Sequence, residues 1–239
     1  MRKVSSSRGF VAVVTAALLI VIVSSCSPAA SDRETKPSTK VDRCKQATSD
    51  AAEFDFFGSG KLLVAVIGDS YSLGTGAGIP KEDAWPIVMS KILGVRVAIL
   101  GEGRTGYLNG GYCGTSRYAG RVSRAVGMSP DVVVVAGGIN DVGLGDLTGA
   151  AFEVLQGLKE VNHLVVGPVV VPSVDAVGTS AIDLSLRLVA SVHGSFFASA
   201  LGWPIELTED GLHPTSEGYA DYASRVSALL QPRLMLTDR

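Results

Sequence analysis

Continuous apolar runs mark the chain at 62–67, 95–100, 132–136 and 164–171, with a weaker one at 203–207. The first four are rich in Val, Ile and Leu and do not alternate with polar residues, the pattern of strands buried on both faces of a parallel sheet. Helical spacing fills the intervals. Leu147, Ala151, Val154, Leu155 and Leu158 recur at i, i+4, i+7, i+8 and i+11, and Tyr219, Tyr222, Ala223, Val226, Leu229 and Leu230 form a second one-sided stripe. Residues 84–93, 116–126 and 181–200 are expected to be helices too, with Thr215 placed to cap the last helix. Strand–helix alternation predicts a three-layer α/β/α sandwich around a parallel sheet. Ligands of such sheets sit beyond the carboxyl ends of the strands, so chemistry is sought in the residues that follow each run.

The N-terminus follows another rule. Arg2, Lys3 and Arg8 precede 14 nearly all apolar residues, Phe10 to Val23, and then Ser24-Ser25-Cys26. A basic start, a short apolar stretch and small residues before a cut make a secretory signal. At 1.5 Å rise the stretch reaches only about 21 Å, short of a ~30 Å bilayer core. Val23-Ser24-Ser25-Cys26 resembles a bacterial lipobox, which implies that Cys26 becomes the first mature residue and carries lipid. Residues 27–50 hold hardly any large apolar side chain and read as a flexible tether. The expected organisation is a lipoprotein signal peptide over 1–25, a lipidated N-terminus and tether over 26–51, and one domain over 52–239. The expected location is the outer face of the cell membrane, reached through the N-terminal lipid alone, or the medium. Outside the cytoplasm the two remaining cysteines, Cys44 and Cys113, are candidates for a disulfide, with two free thiols as the alternative.

Composition narrows the function. With 46% hydrophobic and 18% charged residues, most of the chain folds rather than staying disordered. A net charge of −2 and 6% aromatics argue against a nucleic-acid partner. Glycine is in excess, at 28 of 239 residues, against a usual share of ~7%.

After the first run comes Gly68-Asp69-Ser70. A serine at the carboxyl end of a parallel strand can expose its hydroxyl beside a backbone N–H, although the same three residues also make an ordinary turn. The G-x-S-x-G elbow of α/β-hydrolases does not occur in the chain. After the second run, Gly101-Glu102-Gly103-Arg104-Thr105-Gly106 has the letters of a dinucleotide fingerprint. The following Tyr107-Leu108-Asn109-Gly110-Gly111 opens no helix, and no acid lies between Glu102 and Asp131 to bind a ribose, so NAD is rejected and no cofactor is expected. After the third run, Asn140 in Gly138-Ile139-Asn140-Asp141 can aim its amide above the sheet or cap a turn. Near the end, Asp210-Gly211-Leu212-His213 lets one short loop present a base and the carboxylate that orients it. His163 and His193 fall in expected secondary structure and suit structural roles better, and the three histidines make no zinc motif, so no metal is expected.

Ser70, a glycine loop, Asn140 and Asp210-x-x-His213, in that order and each after its own strand, resemble the SGNH hydrolases, also known as the GDSL esterase and lipase family. The resemblance implies a flavodoxin-like, parallel five-stranded sheet of order 2-1-3-4-5. It implies Ser70 as nucleophile, His213 as base and Asp210 as its orienter. The implied oxyanion hole is the Ser70 N–H, a glycine N–H and the Asn140 amide, with Gly106 preferred over Gly103. The usual Asn before the glycine loop is replaced by Leu100 or Gly101. The expected activity is hydrolysis of short-acyl or acetyl carboxylic esters by a monomeric enzyme, on a small-molecule or glycan ester substrate. A cell-wall polysaccharide O-deacetylase is one alternative, and a non-catalytic glycan or lipid binder on the same fold is another. No insertion is long enough for a lid, so an open site is expected, with Trp85, Tyr107 and Tyr112 as candidate lining or as core aromatics.

Overall fold

The computed structural model describes residues 39–50 and 52–237. In chain order its elements are α1 (Lys40–Asp50), β1 (Ala52–Phe57), β2 (Leu63–Gly68), α2 (Pro80–Asp83), α3 (Trp85–Leu93), β3 (Arg96–Gly101), α4 (Ala119–Gly127), β4 (Val132–Ala136), a 3₁₀ turn (Ile139–Asp141), α5 (Thr148–Gly157), β5 (His163–Val166), α6 (Ala176–His193), β6 (Phe196–Ala198) and α7 (Ser216–Thr237). The sheet runs β1-β3-β2-β4-β5-β6. Its last five strands are all parallel, in the order 2-1-3-4-5 counted from β2.

The apolar runs lie in the middle of this sheet because both of their faces are covered. Every residue of β2 and β4 is buried. Val64, Val66, Val97, Ile99, Val132 and Val134 turn to one side, against Trp85 and Met89 of α3 and Tyr222, Val226 and Leu230 of α7. Their neighbours Ala65, Ile67, Val133, Val135 and Val165 turn to the other side, against Val122 of α4, Val154 and Leu155 of α5 and Ile182 and Leu186 of α6. At ~1.5–3 kcal/mol per fully buried aliphatic side chain, these two layers supply the main driving force for the fold.

Four features differ from the sequence expectation. The sheet has a sixth strand, β1, which adds antiparallel to β3 with a bulge between Glu53 and Asp55. Those acids break the apolar pattern, and an edge strand tolerates them. The last strand is β6 at 196–198 rather than 203–207. Gly194, left-handed at φ 65°, caps α6 and ends it before residue 195, so that Phe196-Phe197 leaves the expected helix and pairs with β5. Residues 203–207 contain Pro204, which lacks the N–H of an inner strand, and they form a loop whose Trp203 packs edge-on to Tyr222 at 5.0 Å. Finally, the last part of the stretch read as a tether is a helix, α1, with Ala47 buried. A disulfide joins Cys44 of α1 to Cys113 across a Cα–Cα distance of 4.7 Å. It closes a loop of 69 residues, worth about 4 kcal/mol in the chain-entropy model. Cys26 and the signal segment lie outside the described residues. Among the described residues no helix is long and apolar enough to cross a membrane.

Candidate active site

The carboxyl ends of β2, β3 and β4 and the loop before α7 converge above the sheet. Directly after β2 the chain folds into successive turns, in which Leu73 and Thr75 both donate N–H bonds to the Ser70 carbonyl, at 3.2 and 3.1 Å. This leaves the Ser70 side chain at the rim and its own N–H with no hydrogen-bond partner among the described residues.

Opposite stands His213. Leu207 and Pro214 form an antiparallel bridge, and the Thr208 N–H donates to the His213 carbonyl at 2.8 Å. The Tyr71 hydroxyl donates to the Leu212 carbonyl and ties this loop to the Ser70 turn. Within the loop, Asp210 Oδ1 accepts from Leu212 N, His213 N and Thr208 Oγ1, each at 2.8 Å. The other oxygen, Oδ2, lies 2.6 Å from His213 Nδ1. Asp210 thus fixes the proton on Nδ1 and leaves Nε2 bare, 3.1 Å from Ser70 Oγ, to accept the hydroxyl proton. Desolvation raises the Asp210 carboxyl, but hydrogen bonds from the His213 ring and from His213 N, Leu212 N and Thr208 outweigh it and hold the group well below the usual carboxylate range. It is ionised wherever His213 could act as a base.

Asn140 lies in the 3₁₀ turn after β4 and faces the same space. Its amide donates to Asp69 Oδ2 at 3.2 Å and to the Thr105 carbonyl at 3.0 Å. Asp69 is fully enclosed. Its Oδ1 accepts from Tyr71 N at 3.0 Å, and its Oδ2 also lies 3.3 Å from the Tyr118 hydroxyl. Burial pushes its carboxyl up to about 6 against the opposing pull of the Tyr71 N–H and the Tyr118 hydroxyl.

The glycine loop after β3 differs from the sequence expectation. The Gly106 N–H donates to the Asn109 carbonyl at 2.9 Å, so it is not available to an oxyanion. Gly106 has another duty: a Cβ there would lie 2.3 Å from the Asp141 carboxylate, an approach that only glycine permits. Gly103 lines the cleft with Ser70, Asn140 and His213. Its N–H has no hydrogen-bond partner among the described residues, and the space beside its Cα is open. Of the two glycines, Gly103 is thus the one that lines the cleft with an unbonded N–H among the described residues. Of the candidate lining aromatics, Trp85 and Tyr107 are buried in the two core layers, and only Tyr112 reaches the cleft.

Two supporting residues were missed at the sequence level. Asp141 accepts three backbone N–H bonds, from Tyr107 at 2.9 Å to Oδ2 and from Leu108 and Asn109 at 2.9 and 2.8 Å to Oδ1. Buried Arg121 donates to the carbonyls of Gly68 (2.6 Å), Leu100 (2.9 Å) and Ser116 (2.7 Å) and to Thr105 Oγ1 (2.6 Å). It binds the ends of β2 and β3 to the glycine loop. An acid directly after Asn140 was the available signal for the first, and nothing in the spacing marks the second.

The site opens into a cleft of about 820 Å³ lined by Arg43, Gln46 and Ala47 of α1 as well as Leu73, Thr75, Arg104, Tyr112 and Leu212. One wall thus comes from the disulfide-held helix. Arg104 has φ 64°, a left-handed conformation that costs a non-glycine residue about 1–2 kcal/mol, and its guanidinium stacks 5.2 Å over the Tyr112 ring. Among the described residues no cluster of three or more His, Cys, Asp or Glu side chains could hold a metal ion.

A parallel sheet of this order, with a serine, an amide and an Asp–His loop at its carboxyl edge, defines a hydrolase of the doubly wound α/β class. The GDSL-like lipase/acylhydrolase family model matches residues 66–220, and the chain belongs to that family. Among solved structures, a G-D-S-L family protein from Desulfitobacterium hafniense superposes with a TM-score of 0.59 at 15% identity, over 71% of this chain and 100% of that one. A carbohydrate acetylesterase from Sinorhizobium meliloti gives 0.63 at 16% identity, over 72% and 99%. A family two carbohydrate esterase from Clostridium thermocellum, solved with cellohexaose, gives 0.59 at 16% identity, over 73% and 65%. At these identities the structures support the fold alone. No curated protein sequence matches the chain.

Proposed function

We propose that the protein is a serine esterase that removes short acyl groups, acetyl foremost, from a larger alcohol such as a glycan. The observation that carries this reading is the hydrogen-bonded series Ser70 Oγ, His213 and Asp210, at 3.1 and 2.6 Å, at the mouth of an open cleft. Ser70 Oγ attacks the ester carbonyl as His213 Nε2 takes its proton, and Asp210 stabilises the imidazolium. The Ser70 and Gly103 N–H groups receive the oxyanion. Asn140 joins them by exchanging its longer bond, to Asp69, for one to the developing charge. Each donor of this kind is worth ~2.7–4 kcal/mol in the transition state. His213 then protonates the leaving alcohol, and water activated by the same ring hydrolyses the acyl-enzyme.

A cleft of about 820 Å³ far exceeds the needs of an acetyl group and leaves room for a bulky alcohol. The carbohydrate acetylesterase and carbohydrate esterase neighbours point the same way. The Cys44–Cys113 disulfide supports an oxidising compartment, in line with export and lipidation at Cys26. The test is a panel of acyl esters of increasing chain length, run beside acetylated glycans, on the wild type and Ser70→Ala. Acetyl or butyryl esters should be preferred and the variant inactive. Retained turnover in Ser70→Ala, or a preference for long acyl chains, would refute the reading.

A further inference from the structure

Two guanidinium groups, of Arg43 and Arg104, stand beside the proposed catalytic series. Arg43 and Arg104 both line the cleft that holds Ser70 and His213, and neither lining residue set there nor in the adjoining recess contains Asp or Glu. The recess, of about 340 Å³, shares Arg43, Arg104 and Tyr112 with the cleft and adds Lys40, Asn109 and Gly111. The two hollows therefore adjoin at Arg43, Arg104 and Tyr112. Lys40, Arg43 and Arg104 make no ion pair among the described residues. Arg104 is held in place rather than free to wander. Its backbone adopts a left-handed conformation that a long side chain disfavours, and its guanidinium rests on the Tyr112 ring. Strain kept at a cleft rim is a mark of a positioned functional group. Arg43 is positioned from the other wall, one residue before the cysteine that ties α1 to the glycine loop.

We propose that the substrate carries an anionic group on its alcohol part, a carboxylate or phosphate, which Arg43 and Arg104 bind while the short acyl group sits over Ser70. Arg supplies forked donors suited to either anion. The proposal rests on the esterase reading for its chemistry but not for its binding.

The test compares 3-acetoxybenzoate with its neutral methyl ester, and 3-acetoxyphenyl phosphate as a third probe to separate carboxylate from phosphate. In the wild type, kcat/KM should favour an anionic probe by about tenfold at low salt, and 1 M sodium chloride, with a Debye length of about 3 Å, should erase most of that margin. In Arg43→Gln/Arg104→Gln the ratio should fall close to one. Arg104→Lys should keep part of it, which separates lost charge from a disturbed loop, and Arg43→Gln alone, on an exposed helix face, should lower it in a folded protein. The second arm is calorimetric binding of the same three probes to Ser70→Ala, which needs no turnover. Tighter binding of an anionic probe, weakened by the arginine substitutions, supports the proposal even if no ester is cleaved, in which case only the esterase reading fails. Equal affinities and equal kcat/KM for charged and neutral probes, or a preference untouched by the double substitution, would overturn it.

Discussion

Asp141 offers the sharpest test of how the site is held. Its carboxylate is inaccessible to solvent and accepts the backbone N–H groups of Tyr107, Leu108 and Asn109. Asp141→Ala removes both acceptor oxygens, and with them all three bonds, and opens a void beside Gly106. Tyr107 is buried, so its N–H would lose its partner without gaining water, at ~1–3 kcal/mol. Leu108 and Asn109 are half-buried and recover part of their loss through hydration. Relief of the buried charge, whose pKa desolvation raises, offsets some of the rest. The expected net destabilisation is about 3–5 kcal/mol. Asp141→Asn retains one oxygen but turns an N–H₂ toward a donor, and should cost about 1–3 kcal/mol. Urea unfolding of the oxidised protein measures both, with the midpoint falling while the slope stays constant. The Asn109 side-chain amide also donates to the Asn140 carbonyl, at 2.9 Å; a loss under about 1 kcal/mol for Asp141→Ala would mean that this bond and the disulfide hold the loop by themselves, and would refute the assigned role of Asp141.

Three further expectations follow from the same network. Asp69 binds its proton more tightly in the folded chain, with a pKa about 6 against 3.8, so wild-type stability relative to Asp69→Asn should fall by about 3 kcal/mol as pH rises through that window and stay level outside it; urea midpoints of both proteins across the window check this. Gly106→Ala drives a Cβ to 2.3 Å from the Asp141 carboxylate, whereas Gly103→Ala meets open space, so thermal unfolding should show the first strongly destabilised and the second nearly unchanged. Asp210→Asn lets His213 take the wrong tautomer, and steady-state kinetics should show kcat lowered by up to about 10⁴ with the fold intact by circular dichroism.

Much of this was legible in the residues. The runs at 62–67, 95–100 and 132–136 are apolar on both faces because helices cover both faces, and a continuous run carries that information directly. Ser70 and Asn140 announce themselves by position after β2 and β4, and Asp210 and His213 by their spacing of three in one short loop. The edges were less legible. β1 and β6 are edge strands, where water replaces one neighbour and the hydrophobic pattern fades. The α1 helix is short and mostly polar, and its place depends on a disulfide to a residue 69 positions away, a contact no local pattern carries. The choice between Gly103 and Gly106 turned on where one backbone N–H points. Spacing alone favours neither, and only the bond to Asn109 decides.

Ser70 is proposed here as a nucleophile activated by His213. Incubation of the oxidised protein with a fluorophosphonate, followed by intact mass and peptide mapping, tests it without knowledge of the natural ester. One adduct per chain on Ser70, formed rapidly in the wild type and far more slowly in His213→Ala, is the expected result. A wild-type chain that stays unlabelled, or that labels at another residue while Ser70 stays free, would contradict the account.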